Sequence, residues 1–204
     1  LSKIIRKEYF SFEGNRLTSL DIKRSFPLWL AVWLTENEVY MDYETKEFIS
    51  SVKSGKFYNH LINKFNKNRN LFNNTEFDNP FINRDKVKEL FSSWLNGNPN
   101  KKNLHNCVMK VYYPLIDDFV NKFKDGHKER MYYTLANLES NFILNTVCKR
   151  LYQDIPGIRL LTCHDEIYFE ERFKPRVEEI WTEELQLVYD RLPVDTISDR
   201  KSVV

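Results

Sequence analysis

The sequence predicts an α+β fold in which an antiparallel sheet is interrupted by a large helical insertion. The segment Leu17–Ile22 has the apolar pattern of a strand and carries an acid, Asp21, near its end. Near the other end of the chain, Leu160–Phe169 reads as strand, tight turn and strand around a polar trio. The residues between these segments carry mostly helical patterns. Runs of helices inserted between strands are typical of the α+β class.

The composition is that of a folded protein with no strong charge bias. Hydrophobic residues make up 42% of the 204 residues and aromatic residues 15%, which excludes a disordered chain. The net charge of +2 gives no bulk signal for nucleic acid, so a phosphate-binding surface has to come from local clustering of the 31 Lys and Arg residues. Because the chain begins with Leu1, we expect it to be part of a larger polypeptide.

The cysteines and the hydropathy profile predict a cytoplasmic protein that does not enter membranes. The three cysteines have no metal-ligand spacing and form an odd number, which favours reduced thiols. The longest apolar run, Phe26–Leu34, is too short to cross a bilayer.

The predicted elements follow from capping and turn signals. Ser25 is positioned to cap a buried helix over 26–35, with Pro27 in its first turn. Asn83 offers a cap for a helix over 84–95, which ends at Asn96–Gly97. The asparagine-rich stretch 63–83 predicts a long loop. The remaining helices are expected within 41–56 and over 58–65, 104–123, 128–152 and 174–192.

Two strand-borne aspartates are the main candidates for chemistry. Asp21 ends the first strand, and Asp165 lies at the tip of the hairpin. If both strands belong to one sheet, the two carboxylates can share divalent cations, as in two-metal phosphoryl transfer. Mg²⁺ suits this role because it prefers oxygen ligands and keeps waters that phosphates can replace. The sequence therefore predicts a site for two Mg²⁺ ions at Asp21 and Asp165.

A second candidate site is the start of the predicted helix at residue 84. Arg84 and Lys88 are four residues apart, so both project from one helical face. Together with the free N–H groups of the first turn they suit a triphosphate. The same spacing also fits an ordinary solvated basic face.

Three segments in this order resemble the core of the family A polymerases, which include bacterial repair DNA polymerases and single-subunit phage RNA polymerases, and a fourth is similar to a helix of the DNA polymerases. The matching segments are the first palm motif at Leu20–Ser25, the fingers helix at Arg84–Gly97, the glutamine-containing helix at Leu138–Ile143 and the last palm motif at Leu161–Phe169. Within the fingers segment, the gaps from Arg84 to Lys88 and on to Asn96-Gly97 equal those of the family.

The resemblance implies a palm sheet formed by residues 1–35 and 131–204, with a fingers-like insertion at 36–130. Its implied substrates are a primer-template and nucleoside triphosphates. The implied roles are Mg²⁺ binding by Asp21 and Asp165, triphosphate binding by Arg84, Lys88 and Asn96, protonation of the leaving pyrophosphate by Lys88, and positioning of the primer and template by Glu139, His164 and Glu166.

This chain departs from the family pattern at positions that choose the nucleotide. Ser92 occupies the place of the aromatic residue that stacks on the incoming base, and Asn96 replaces a tyrosine. Phe26 stands where the DNA polymerases carry a sugar-excluding glutamate. A DNA polymerase is the first interpretation, and an RNA polymerase remains open. Asp21-Ile22-Lys23, followed by Ser25 and Pro27, is similar in style to reduced polymerase-like proteins of phages and plasmids.

Two other functions remain open on the sequence. A metal phosphohydrolase would use the doublet His164–Asp165, with His60, His105 or His127 as further ligands. A degenerate polymerase fold would bind nucleic acid in replication without extending it. Binding of a divalent ion at Asp165 separates the enzymes from the binding protein.

Overall fold

The computed structural model describes residues 11–23, 25–39, 42–67, 83–98, 104–126, 131–163 and 165–193. These residues divide into two compact units. The first unit contains the described residues up to Ser25 together with Leu135–Arg191, and the second contains those from Phe26 to Thr134 together with Leu192 and Pro193. The first unit is thus built from two distant segments of the chain, and the second comes mainly from the segment between them.

A small four-stranded antiparallel sheet forms the centre of the first unit. The spatial order is β1-β2-β4-β3. The two strands at the centre, β2 and β4, come from opposite ends of the chain and pair from Leu17 opposite Glu170 to Asp21 opposite Glu166. The strands are β1 at Ser11–Phe12, β2 at Asn15–Asp21, β3 at Leu161–Cys163 and β4 at Glu166–Glu170. The predicted α+β class and the predicted pairing of the two acid-tipped segments are confirmed.

Both units contain helices. In the second unit, aromatic side chains form much of the core: Phe57 packs against Phe91 with ring centroids 5.0 Å apart, and Trp94 is fully buried. In chain order, the α-helices are α1 Ser25–Glu36, α2 Tyr43–Lys53, α3 Phe57–Lys67, α4 Arg84–Asn96, α5 Leu104–Tyr112, α6 Pro114–Gly126, α7 Met131–Asn141, α8 Lys149–Asp154 and α9 Lys174–Arg191.

Several predicted helices form where local signals placed them. Helix α1 is buried along most of its length, as its apolar sequence predicts. Helix α4 begins after Asn83, whose side chain accepts a hydrogen bond from the backbone N–H of Lys86 at 2.9 Å. This bond satisfies one of the free N–H groups of the first turn. Most of the predicted asparagine-rich loop, residues 68–82, lies outside the described residues.

The prediction of one helix over 104–123 is wrong. Two helices, α5 and α6, occupy this segment and are separated at Tyr113. Pro114 begins the second helix, because its ring is tolerated in a first turn but not in a helix interior. The carboxylate of Glu44 accepts hydrogen bonds from the backbone N–H groups of Leu115 and Ile116, each at 3.0 Å, and so caps the new helix.

The helix predicted over 128–152 also differs from the structure. Its described part begins at Met131 and contains a π-helix, Phe142–Cys148, between α7 and α8. The wider turn exposes three consecutive residues, Leu144, Asn145 and Thr146. After β4, a short 3₁₀ segment at Glu171–Phe173 leads into α9.

The structure also bears on membranes and thiols. Across the described ranges, no helix is both long enough and apolar enough to span a bilayer. Cys107, Cys148 and Cys163 are free thiols. Burial raises the pKa of the Cys148 thiol to about 11, so this side chain is a poor nucleophile at neutral pH.

Candidate functional site

Asp21 and Asp165 lie at the same end of the β2–β4 ladder. Asp21 is the last residue of β2 and is exposed, whereas Asp165 is half-buried in the turn immediately before β4. The backbone N–H of Ile22 donates a hydrogen bond to the carbonyl oxygen of Asp165 at 3.2 Å, and Asp21 stands opposite Glu166. The two aspartates therefore occupy adjacent positions across one antiparallel pair.

The register places Glu166 directly across from Asp21. Residues that stand opposite each other in an antiparallel pair share a face of the sheet, with Cβ atoms about 4.5–5.5 Å apart. Asp165 precedes the first residue of β4 and belongs to the turn, so the alternation of the strand does not fix the direction of its side chain. The strand-borne partner of Asp21 is Glu166.

The carboxylate of Glu166 is buried and hydrogen-bonded on both oxygens. Glu166 is only 4% exposed. The Ser19 hydroxyl donates to Oε1 at 2.8 Å, and the Tyr168 hydroxyl donates to Oε2 at 2.5 Å. Hydroxyl donors at such distances form strong bonds when the acceptor is ionised. Glu166 is therefore held from two sides on the face that it shares with Asp21.

Sequence reasoning missed Ser19 and Tyr168, although a signal for both was present. Ser19 lies two residues before Asp21, and Tyr168 lies two residues after Glu166. A period of two keeps residues on one face of a strand. Once the register is known, this spacing alone places all four side chains on the same face.

Glu139 and His164 were predicted to position primer and template. Glu139 lies near the end of α7, is buried, and accepts a hydrogen bond from the hydroxyl of Ser25, the first residue of α1. This bond joins the two chain segments that make up the first unit. His164 lies outside the described residues. Both assignments stay predictions.

Arg84 and Lys88 lie on the same helix, α4, and both are exposed. The guanidinium carbon of Arg84 is 5.7 Å from the centroid of the Tyr58 ring, a cation–π distance. Lys88 forms a 3.8 Å ion pair with Asp85 across an exposed surface. Exposed pairs of this kind contribute about 0–1 kcal/mol, so a triphosphate can displace Asp85 at little cost.

Asn96 is the last residue of α4, and the aromatic side chains before it point into the core. The Asn96 side chain is half-buried, and its Oδ1 atom has no hydrogen-bond partner among the described residues. Phe91 and Trp94 are almost fully buried, whereas Ser92 is half-exposed. Neither aromatic ring on this helix is therefore available to stack on a base.

A buried polar cluster fixes the C-terminal end of α4. The indole N–H of Trp94 donates to the Asp117 carboxylate at 2.7 Å, and the Lys124 ammonium donates to the Trp94 carbonyl oxygen. Burial raises the pKa of the Asp117 carboxyl, although its bond to Trp94 acts in the opposite direction. Burial also lowers the pKa of Lys124 to about 8.

The donor set at Asp21 and Asp165 fits Mg²⁺ in type. Both groups are carboxylates, and neither is fully buried, which leaves room for water and phosphate oxygens. In the part of the chain that the structure describes, which omits His164, no group of three or more His, Cys, Asp or Glu forms a metal site. Mg²⁺ does not need one, since it is commonly held by one or two carboxylates plus substrate phosphates.

The histidines required by the phosphohydrolase alternative are only partly described. The Nε2 atom of His60 lies 3.0 Å from the Glu47 carboxylate. His127 and the side chain of His105 lie outside the description.

Comparisons of the chain with family models, with curated proteins and with solved structures gave no match. The functional argument therefore depends on the residues of this chain and their geometry.

Proposed function

We propose that this protein is a template-directed nucleotidyltransferase, and specifically the core of a DNA polymerase with a palm-type sheet. The observation that supports the proposal is the pairing of β2 with β4. It brings acids from the two ends of the chain to adjacent positions, with Asp21 opposite Glu166 and Ile22 bonded to Asp165.

In this proposal, Asp21 and Asp165 hold Mg²⁺ at the end of the sheet. When bound, two Mg²⁺ ions supply the positive charge that lowers the pKa of the attacking 3′-hydroxyl and stabilises the leaving oxygen. The protein contributes the adjacent backbone positions of the two aspartates, which the bond between Ile22 and Asp165 holds together. Glu139 and His164 are proposed to contact the primer and template.

The helix α4 is proposed to bind the incoming nucleoside triphosphate. Arg84 and Lys88 are cations one helical turn apart near its N-terminus, where the helix dipole also favours anions. Lys88 is proposed to donate a proton to the pyrophosphate as it leaves. Asn96, at the other end of the helix, is proposed to contact the sugar or base.

Primer extension tests the proposal directly. The full chain is incubated with a primed DNA or RNA template and with all four deoxy- or ribonucleotides, with and without Mg²⁺. We expect Mg²⁺-dependent extension that falls by orders of magnitude in Asp165→Asn. The matched control is Asp118→Asn, which removes an exposed carboxylate paired with Lys122. Full extension by Asp165→Asn would exclude this hairpin as the catalytic centre.

The second candidate function is nucleic-acid binding in replication without catalysis. The burial of Phe91 and Trp94 favours it, because α4 then offers no ring to stack on the incoming base. This candidate predicts that the parent protein binds primed template and shows no extension with either sugar. Binding that is unaffected by Asp165→Asn and by removal of divalent ions would identify it.

A further inference from the structure

Four side chains share one face of the β2–β4 pair, and we call them the acid clamp: Ser19, Asp21, Glu166 and Tyr168. Ser19 and Tyr168 face each other in the register, and Asp21 faces Glu166. Glu166 accepts a hydrogen bond from each of the two hydroxyl groups. The only carboxylate of the clamp that reaches the surface is that of Asp21.

We propose that Ser19 and Tyr168 are positioning residues that fix the Glu166 carboxylate, and through it the arrangement of Asp21 and Asp165 for a divalent cation. The inference depends on the proposed function, because it concerns how the same acids are held. It assigns Glu166 a role inside the protein, in place of the direct contact with the primer that the sequence predicted.

The first argument comes from burial. Glu166 is 4% exposed, so a primer end has little access to its carboxylate. Removal of either hydroxyl takes a hydrogen-bond donor from a buried carboxylate, which is costly. The side chain would then move toward solvent, and the exposed residue that stands opposite it in the register is Asp21. Both hydroxyls are therefore needed to keep Glu166 away from the cation site.

The second argument comes from the chain itself. Glu166 directly follows Asp165, so a fixed Glu166 side chain restricts the backbone of the turn. The bond from Ile22 to the Asp165 carbonyl oxygen holds the same turn from the β2 side. Asp165 and Glu166 are thus both restrained. The backbone from which the Asp165 carboxylate extends therefore has a fixed position relative to Asp21.

The experiment measures Mn²⁺ binding to the full chain by the electron paramagnetic resonance signal of free Mn²⁺. We expect Ser19→Ala and Tyr168→Phe each to weaken Mn²⁺ affinity by about 10-fold or more, the effect usual for residues that orient metal ligands. Ser19→Thr keeps the hydroxyl and should retain the affinity of the parent. Tyr152→Phe is the matched control, since it removes the hydroxyl of a tyrosine that is 56% exposed in the same unit.

A double variant separates positioning from a general loss of stability. In a Glu166→Gln background, Tyr168→Phe should produce no further loss of Mn²⁺ affinity, because the carboxylate that it holds is gone. An equal loss in both backgrounds overturns the inference, as does unchanged affinity in both single variants. Circular dichroism shows whether each variant folds. If Ser19→Ala does not fold, the test depends on Tyr168→Phe, which keeps the aromatic ring.

The same data distinguish failure of the inference from failure of the proposed function. If the parent binds Mn²⁺ and extends primers while Ser19→Ala and Tyr168→Phe match it, only the inference fails. If the parent neither binds Mn²⁺ nor extends a primer, both fail.

Discussion

The backbone N–H of Ile22 donates a hydrogen bond to the carbonyl oxygen of Asp165, and this bond joins the two ends of the chain at the candidate site. It lies next to the last pair of the β2–β4 ladder, which is formed by Asp21 and Glu166. Three acids from two distant segments are thereby gathered at one end of a small sheet. A divalent cation at this end of the sheet would be attracted by their carboxylates.

The first prediction concerns the effect of Mg²⁺ on stability. A ligand that binds only the folded state stabilises it by about 2.7 kcal/mol at 100 times its Kd. Mg²⁺ should therefore raise the Tm of the parent, and Asp21→Asn or Asp165→Asn should abolish that rise. Differential scanning fluorimetry at increasing Mg²⁺ measures it. Asp118→Asn, an exposed carboxylate in the second unit, is the control and should keep the full response.

The stability of Asp165→Asn without metal can also be predicted. Asp165→Asn removes one charge from a group of three acids at the end of the sheet, so the free energy of unfolding should change by no more than about 0.5 kcal/mol. A small increase is expected from relief of repulsion. A large loss of stability in metal-free Asp165→Asn would mean that this side chain is structural.

The second prediction concerns triphosphate binding by α4. Hydrogen bonds to charged groups contribute about 1.5–3 kcal/mol, so Arg84→Ala or Lys88→Ala should weaken triphosphate affinity by about 10-fold or more. Both side chains are exposed, so the Tm should stay close to that of the parent. Isothermal titration calorimetry measures the affinity. Lys86→Ala is the control, because Lys86 lies on the same helix and pairs with Glu89 at 2.8 Å. Equal affinity in all three variants would contradict the assignment.

Local signals were sufficient to predict much of the fold. Asn83 and Gly97 mark the two ends of α4, because capping residues act on the helix next to them. The hairpin could be predicted from its apolar residues on both sides of a polar turn. The break at Pro114 could not be read in the same way. A proline is tolerated in the first turn of a new helix, so it does not by itself show where one helix ends. The cap of helix α6 is supplied by Glu44, a residue far away in sequence.

The candidate site was only partly predictable for a related reason. That Asp21 and Asp165 lie near each other could be predicted from two local motifs, the first strand and the hairpin, and from the pairing of β2 with β4. That Glu166 faces Asp21 depends on the register, and a slip of one residue would reverse every side chain. Ser19 and Tyr168 have no distinctive character until the register makes them partners of Glu166. The same limit applies to the π-helix Phe142–Cys148, which depends on a shift of one residue in hydrogen bonding.

The third prediction concerns the buried ion cluster around Glu170. Glu170 is 1% exposed and pairs with Arg159 at 3.1 Å and with Arg172 at 2.9 Å. Glu170→Gln removes the buried charge but leaves two arginines that water can still reach. We therefore expect a loss of about 1.5–3 kcal/mol, the value for hydrogen bonds to charged groups. Urea unfolding measures it, and Glu171→Gln at the exposed neighbouring position should be near neutral. An equally small effect at Glu170 would show that the cluster adds no net stability.

The last prediction concerns the pH dependence caused by Lys124. Burial lowers the pKa of Lys124 from 10.5 to about 8, so in this range the unfolded chain binds one more proton than the folded chain. Stability rises with pH wherever the unfolded state binds more protons. The contribution of Lys124 to the free energy of unfolding should therefore increase from about pH 8 to about pH 10.5 and stay constant below that range.

Comparison with Lys124→Met isolates this contribution, because other lysines titrate alike in both proteins. Below about pH 8 the parent bears the cost of burying the ammonium, which its bond to the Trp94 carbonyl oxygen only partly offsets. The stability of the parent should therefore rise relative to Lys124→Met as the pH increases through this window. Urea unfolding at several pH values measures the difference. A difference that is constant with pH, or that falls, would show that Lys124 is not desolvated in the folded protein.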